Sequence, residues 1–428
     1  MQKAQFKSIA LVVGMALCLA LTACGGGGGG SAPATTSSTG ASSTSPSPAG
    51  PAVPPAPTTP PPSLAANQVP LVAESGPGNA FNRAYVSVTV CVPGTATCQT
   101  VNHVLVDTGS TGLRLYASAL NSTMLAGLPA STDSNGAPTA ECAMFAGGNL
   151  WGSVRKADVK MAGEVASALP VEVIADPAYS EPSGCSSTGP SITTPAGMGG
   201  NGLIGLSSYR QDCGPGCPGG YYACSGSTCT AESAANYSQV SNPVASFPQD
   251  YNGTIITLPA VPASGASQAA GTLTFGLDTQ ADNSATNVGG KYYNVAPSSG
   301  ALTTTYKGKA YPSFLDTGSA SYYFSDSTLP SCSLATGMFC PSPPVSLSAS
   351  VAAPNGSAST IPFSVGDADT LLTTGTKYAY SNIGANAGSN AIISGNFDWG
   401  LPFYFGRSVA TVLSGAAFSG GVGPGIQF

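Results

Sequence analysis

Val104-Leu105-Val106-Asp107-Thr108-Gly109-Ser110 and Ser313-Phe314-Leu315-Asp316-Thr317-Gly318-Ser319 are two copies of one pattern, a little over two hundred residues apart. Each is an apolar run that ends in Asp-Thr-Gly-Ser, followed by alternating large residues, Leu113 and Leu115 in the first copy, Tyr322 and Phe324 in the second. That is a buried strand, a tight polar turn and a second strand. A single Asp-Thr-Gly-Ser carries little information, because Asp-x-Gly is a common turn. An internal repeat with the same apolar approach predicts one copy in each of two related lobes.

The rest of the chain reads as all-β. Short apolar or alternating segments recur between Gly, Pro, Asn and Ser clusters: Tyr85 to Val92, His103 to Val106, Val171 to Ile174, Thr254 to Leu258, Leu273 to Phe275 and Phe403 to Phe405. Asp158 to Gly163 reads as a strand entering a hairpin turn. Only 7% of residues are charged, and 55 are glycine, a composition that favours strands and turns over amphipathic helices. With 13 basic residues and a net charge of −6, the chain lacks the positive field that nucleic-acid binding needs, so no nucleic-acid partner is expected.

Aspartates at the ends of apolar strands are costly to ionise. Two brought together share one proton, so that one accepts a proton from a bound water while the other donates to a carbonyl oxygen. Gly109 and Gly318 allow the sharp turn, Ser110 and Ser319 can donate to the outer carboxylate oxygens, and Thr108 and Thr317 can lock the turns together. Asp107 and Asp316 are therefore the candidate catalytic pair. Other hydrolytic chemistries fit less well. The chain has one histidine, His103, on the strand into Asp107, where packing or solvation is its expected role, and it has no Gly-x-Ser-x-Gly elbow. No metal and no cofactor is expected.

The repeat resembles that of the pepsin-like aspartic peptidases, and the resemblance runs from about Ala84 to the end. Leu203-Ile204-Gly205-Leu206 is similar to the apolar-apolar-Gly strand beside the first catalytic turn of that family, and Gly271 to Gly276 with Asp278 to the strand that opens the second lobe's sheet. Phe145 to Gly163 is similar to the flap hairpin and the strand after it. The second apolar-apolar-Gly strand is matched imperfectly by Ile392-Ile393-Ser394-Gly395 and by Asp398-Trp399-Gly400-Leu401; the second is favoured, with Phe403 continuing the strand. The chain is also similar to a bacterial lipoprotein family of no assigned function, through Cys98-Gln99-Thr100-x-x-His103, Asp212-Cys213-Gly214 and Trp399 to Phe403.

The resemblance implies a two-lobed all-β fold, residues 67–247 and 248–428, acting as a monomer on a polypeptide held in the cleft. Where such a flap carries a tyrosine, this chain has Phe145, which lacks the hydroxyl; the indole N–H of Trp151 is the candidate substitute. Tyr116, Tyr322 and Tyr323 flank the turns and are candidates for the groove or for the core. A catalytically silent fold that binds peptide or glycan is the competing expectation, since a fold does not fix a chemistry.

Export is read from the other end. Lys3 and Lys7 precede an apolar run from Ile9 to Ala20, and Leu21-Thr22-Ala23-Cys24 resembles a lipoprotein cleavage site. The expectation is a signal segment 1–23, a lipid on Cys24 holding the protein to the bacterial envelope, and a Gly/Ser/Thr/Pro-rich tether 24–66. Ten cysteines follow Cys24, an even number that reads as disulfides outside the cytoplasm. Cys91 with Cys98 and Cys332 with Cys340 are local loop closures; the pairing of the other six is open, and Cys213, Cys217, Cys224 and Cys229 are too irregularly spaced for a zinc site to be favoured.

Overall fold

Alternation and turn chemistry account for most of what the chain does. In the computed structural model the described residues are 64–428, apart from 215–216, 218, 236–237 and 389–392. The expected signal segment, the expected lipid site at Cys24 and the expected tether as far as residue 63 lie outside them. The described strands form a sheet of fifteen strands, a second of seven and a two-stranded ribbon. No helix among the described residues is long and apolar enough to cross a membrane.

The two lobes repeat one local topology. In the first, the strand Cys98–Asp107 pairs in parallel with Gly202–Leu206, and that strand pairs antiparallel with Thr111–Tyr116, the strand leaving the Asp107 turn. Thr111–Tyr116 in turn lies parallel to Glu164–Ile174. In the second, Lys309–Phe314 pairs in parallel with Phe397–Asp398, which pairs antiparallel with Tyr322–Phe324, itself parallel to Gly384–Asn386. Each Asp-Thr-Gly-Ser turn is thus wrapped around a third strand, and the fold is all-β and bilobal. The lobes also share a sheet: Gln68–Ala73 pairs with Ala84–Cys91 on one side and with Ala269–Phe275 on the other. The described residues form one compact unit.

Register settles which segment flanks the second turn. Asp107 lies opposite Gly205, and Phe314 lies opposite Asp398, which carries Gly400 to the level of Asp316. Asp398-Trp399-Gly400 is therefore the counterpart of Leu203-Ile204-Gly205. The expected continuation of a strand through Phe403 to Phe405 is corrected. Leu401–Tyr404 is a 3₁₀ helix, because Gly400 turns left-handed at φ 52° and Pro402 fixes the first helical turn. The strand begins again at Arg407. The hairpin expected at Asp158 to Gly163 is present, with Ala162 and Gly163 both at positive φ between Gly148–Met161 and Glu164–Ile174.

Five disulfides close the loops: Cys91–Cys98, Cys142–Cys185, Cys213–Cys217, Cys224–Cys229 and Cys332–Cys340. The four clustered cysteines are thus consumed as two bridges, which leaves no thiolates there for a metal.

The two cores are built differently. Beneath the first turn, Val104, Val106, Leu113, Leu115 and Ile204 are almost wholly buried. Beneath the second, rings replace branched chains. Trp399 has no exposed surface; its ring lies 4.7 Å from that of Phe397 and 5.4 Å from that of Phe363, and its indole N–H donates to Thr304 Oγ1 at 3.0 Å.

One charge cluster is buried in the first lobe. Arg114, on the strand leaving the Asp107 turn, reaches Glu141 at 2.7 Å, Glu172 at 3.0 Å and Asp212 at 3.0 Å, and donates to the Thr111 carbonyl oxygen. One cation cannot neutralise three carboxylates. Burial accordingly holds Glu141 well above the ordinary range and pushes Glu172 up to about 7, while Asp212, which burial alone would raise, is drawn down by Arg114. Replacing Arg114 by methionine leaves those carboxyls buried without their cation, and is expected to lower stability by about 3–5 kcal/mol in urea-induced unfolding.

Candidate active site

The turns meet at the base of a cleft of about 360 Å³. Thr108 and Thr317 join them by reciprocal hydrogen bonds. The Thr108 amide donates to Thr317 Oγ1 at 3.1 Å and the Thr317 amide to Thr108 Oγ1 at 3.0 Å. Each hydroxyl then donates across to the opposite approach strand, Thr108 to the Leu315 carbonyl at 2.8 Å and Thr317 to that of Val106 at 2.7 Å. Thr317 is fully buried and Thr108 nearly so, so these bonds form away from competing water.

With the threonines locked, the carboxyls face each other. A Cβ placed on Gly109 would lie 2.6 Å from the Asp316 carboxyl carbon, and one on Gly318 would lie 2.7 Å from Asp107 Oδ1. Only glycine permits that approach. Each carboxylate is also held by its own turn. Asp107 accepts from the Gly109 amide at 2.8 Å and the Ser110 hydroxyl at 2.5 Å, and Asp316 from the Gly318 amide at 2.7 Å and the Ser319 hydroxyl at 2.9 Å. Asp316 is held well above the ordinary carboxylate range, first by burial, then by the charges of Asp107 and Asp398 and by a hydrogen bond with Asp107.

The remaining expected residues divide by strand parity. Phe145, at the tip of the hairpin formed by Thr139–Phe145 and Gly148–Met161, lines the cleft with Leu150, Ile192 and Leu203. Trp151 does not join them. It follows Leu150 on one strand and points to the opposite face, where its indole donates to the Tyr179 carbonyl at 3.1 Å and its ring meets Tyr222 edge-on. The role suggested for its N–H at the flap is therefore corrected. Of the three tyrosines, Tyr323 lines the cleft, whereas Tyr116 and Tyr322 are core residues. His103 sits outside the cleft, 3.5 Å from Glu74 and edge-on to Tyr85.

Three residues not singled out from sequence stand at the site. Arg83 lines the cleft and donates to the Gly318 carbonyl oxygen. The Tyr404 hydroxyl lies 3.0 Å from Thr108 Oγ1, tying the 3₁₀ helix to the first turn. Asp398, 3% exposed, lies 2.5 Å from the Ser319 hydroxyl. Aligning Leu203-Ile204-Gly205 with Asp398-Trp399-Gly400 would have revealed the last of these, as a carboxyl where the first lobe has leucine.

The fold and site define an all-β, two-lobed protein with a facing pair of aspartates between its lobes, Asp107 buried and Asp316 half-buried. Residues 63–428 match the family described as "Protein of unknown function (DUF3443)", and the chain belongs to that family. No curated protein matches it. Among solved structures it is similar to the aspartic proteinase from Irpex lacteus, with 16% identity and a TM-score of 0.45 over 80% of this chain and 93% of that one.

Replacing Thr317 by valine keeps the volume but strips the Thr108 amide and the Val106 carbonyl of their buried partners. A loss of about 2–4 kcal/mol in unfolding free energy is expected, measured by denaturant titration.

Proposed function

We propose that the protein is an aspartic-type endopeptidase of the bacterial envelope, in which Asp107 and Asp316 activate a water to hydrolyse a peptide bond. The observation that carries this reading is the facing carboxyl pair, each member held by its own Gly amide and Ser hydroxyl and locked to the other through Thr108 and Thr317. A pair in which one member holds a proton and the other does not supplies base and acid together. The carboxylate takes a proton from water as its oxygen attacks the scissile carbonyl carbon, and the protonated partner donates to the carbonyl oxygen.

An extended peptide suits the cleft. The hairpin above it offers backbone groups for an added strand, and Leu105, Phe145, Leu150, Ile192 and Leu203 offer apolar contacts to side chains flanking the bond. Burial and mutual repulsion keep the shared proton in place to higher pH than an isolated carboxyl would, and activity falls as rising pH removes it. Lipidation of Cys24 and tethering through residues 24–66 would place a monomeric enzyme at the envelope surface, without nucleic acid, metal or cofactor.

A second reading is favoured by one observation. Phe145 has no hydroxyl, and Trp151 has committed its N–H to Tyr179, so the hairpin side chains expected to contribute a polar group over the dyad do not. On that reading the cleft binds peptide or glycan without cleaving it. Incubating residues 64–428 with a mixed peptide library from acid to neutral pH decides between them. Cleavage by the wild type, reduced at least about 100-fold in both Asp107→Asn and Asp316→Asn, supports the peptidase. Retention of peptide without cleavage supports the binding protein.

A further inference from the structure

The two turns share their Thr, Gly and Ser hydrogen bonds but differ at the strand that flanks each of them. In the first, Leu203 precedes Ile204-Gly205 and the Ser110 hydroxyl bonds Asp107. In the second, Asp398 takes the leucine's place, and the Ser319 hydroxyl lies between two carboxyls, 2.9 Å from Asp316 Oδ2 and 2.5 Å from Asp398 Oδ2. The other oxygen of Asp398 accepts from the Gly400 amide at 2.9 Å. A buried carboxyl stands where the first lobe has an apolar side chain, a costly exchange without a compensating role.

Proton counting gives that role. Ser319 has one hydroxyl hydrogen and can donate it to only one of its two neighbours. The other close oxygen–oxygen contact requires a proton supplied by the carboxyl itself. The row Asp316–Ser319–Asp398 therefore holds a carboxyl proton in addition to the hydroxyl's. If Asp398 carries it, Asp398 donates to Ser319 and Ser319 donates to the Asp316 carboxylate. If Asp316 carries it, both bonds reverse. The exchange breaks the Asp398 O–H and forms a new Ser319 Oγ–H, while the old Ser319 Oγ–H breaks and Asp316 Oδ2–H forms. One proton moves to Asp316 and one negative charge moves to Asp398.

We propose that Asp398 is a positioning residue which, through the Ser319 hydroxyl, holds a proton in reserve for the dyad and sets the pH at which Asp316 loses its own. The proposal rests on the reading of Asp107 and Asp316 as an acid–base pair. The other titratable groups facing Asp398 are Asp107 and Asp316 from the turns, Tyr323 from the strand paired with it, and Tyr404 from the 3₁₀ helix. Burial keeps both tyrosines neutral, and Arg83 acts on Tyr323. Burial also pushes Asp398 itself up to about 7, so it is the member of the row poised to ionise as pH approaches neutrality. Once ionised, its charge repels a second ionisation at Asp316, and the dyad keeps its proton into a higher pH range. The first lobe has no such group. The repeat is thus asymmetric, with the protonated role assigned to Asp316.

The test uses two readouts on residues 64–428. Carboxyl ¹³C chemical shifts of labelled aspartate, with Asp316 assigned by comparison with Asp316→Asn, follow its ionisation whether or not any peptide is cleaved. The pH profile of kcat/KM follows the dyad in the working enzyme. In Asp398→Asn, the Asp316 titration and the alkaline limb of the profile are both expected to move to lower pH by about one unit or more. Asp398→Leu, which installs the residue type of the first lobe, is expected to do the same and serves if the amide variant folds poorly. An Asp316 titration that stays in place in either folded variant overturns the proposal, even if catalytic rate falls. Absence of cleavage by the wild type overturns the peptidase reading alone, and the chemical shifts then still decide the role of Asp398.

Discussion

The structure depends on four hydrogen bonds made by two threonines, two to each other and two to the opposite turn's approach. Thr108 and Thr317 each accept from the other's amide and donate to the strand beneath the other's aspartate. These bonds bring the two turns so close that neither Gly109 nor Gly318 has room for a side chain, and they force two acidic groups together where water cannot fully screen them. The elevated affinity of Asp316 for its proton is a direct result. Stability and proton affinity here share one set of contacts: what joins the lobes also brings the charge of Asp107 against Asp316.

The surroundings are arranged to bear that load. Each turn is braced by a strand running parallel to the approach strand, with Gly205 or Gly400 at the level of the aspartate, and each lobe fills the space beneath with its own kind of core, branched aliphatic in the first and aromatic in the second. Close to the first turn, Arg114 ties the exit strand to Glu141 of the hairpin formed by Thr139–Phe145 and Gly148–Met161, and its guanidinium lies 5.8 Å from the Phe145 ring. The apolar wall of the cleft is therefore continuous with a buried charge cluster that supports the side chain at the hairpin tip.

Much of this was legible in the sequence because it is carried by local pattern. The repeated Asp-Thr-Gly-Ser behind apolar residues, the alternation of the strands and the two short cysteine spacings each correspond to an element of the structure. What was not legible depends on relations between distant residues. Trp151 has the chemistry expected of a donor over the cleft, but its parity relative to Leu150 turns it into the core on the opposite face. Phe403 to Phe405 looks like a strand until Gly400 and Pro402 are weighed together. The pairing of Cys142 with Cys185 spans a loop that no spacing reveals. Asp398 was read as an imperfect apolar match, although register makes it the residue that distinguishes one lobe from the other.

The central claim is that Asp107 and Asp316 hold one proton between them as a working acid–base pair. Neutron diffraction from deuterated crystals grown at mildly acid pH observes that proton directly. The account predicts a single deuterium on the facing oxygens of the pair, with one carboxyl left as the anion. Nuclear density with no deuterium on either carboxyl, or with one on each, would contradict it.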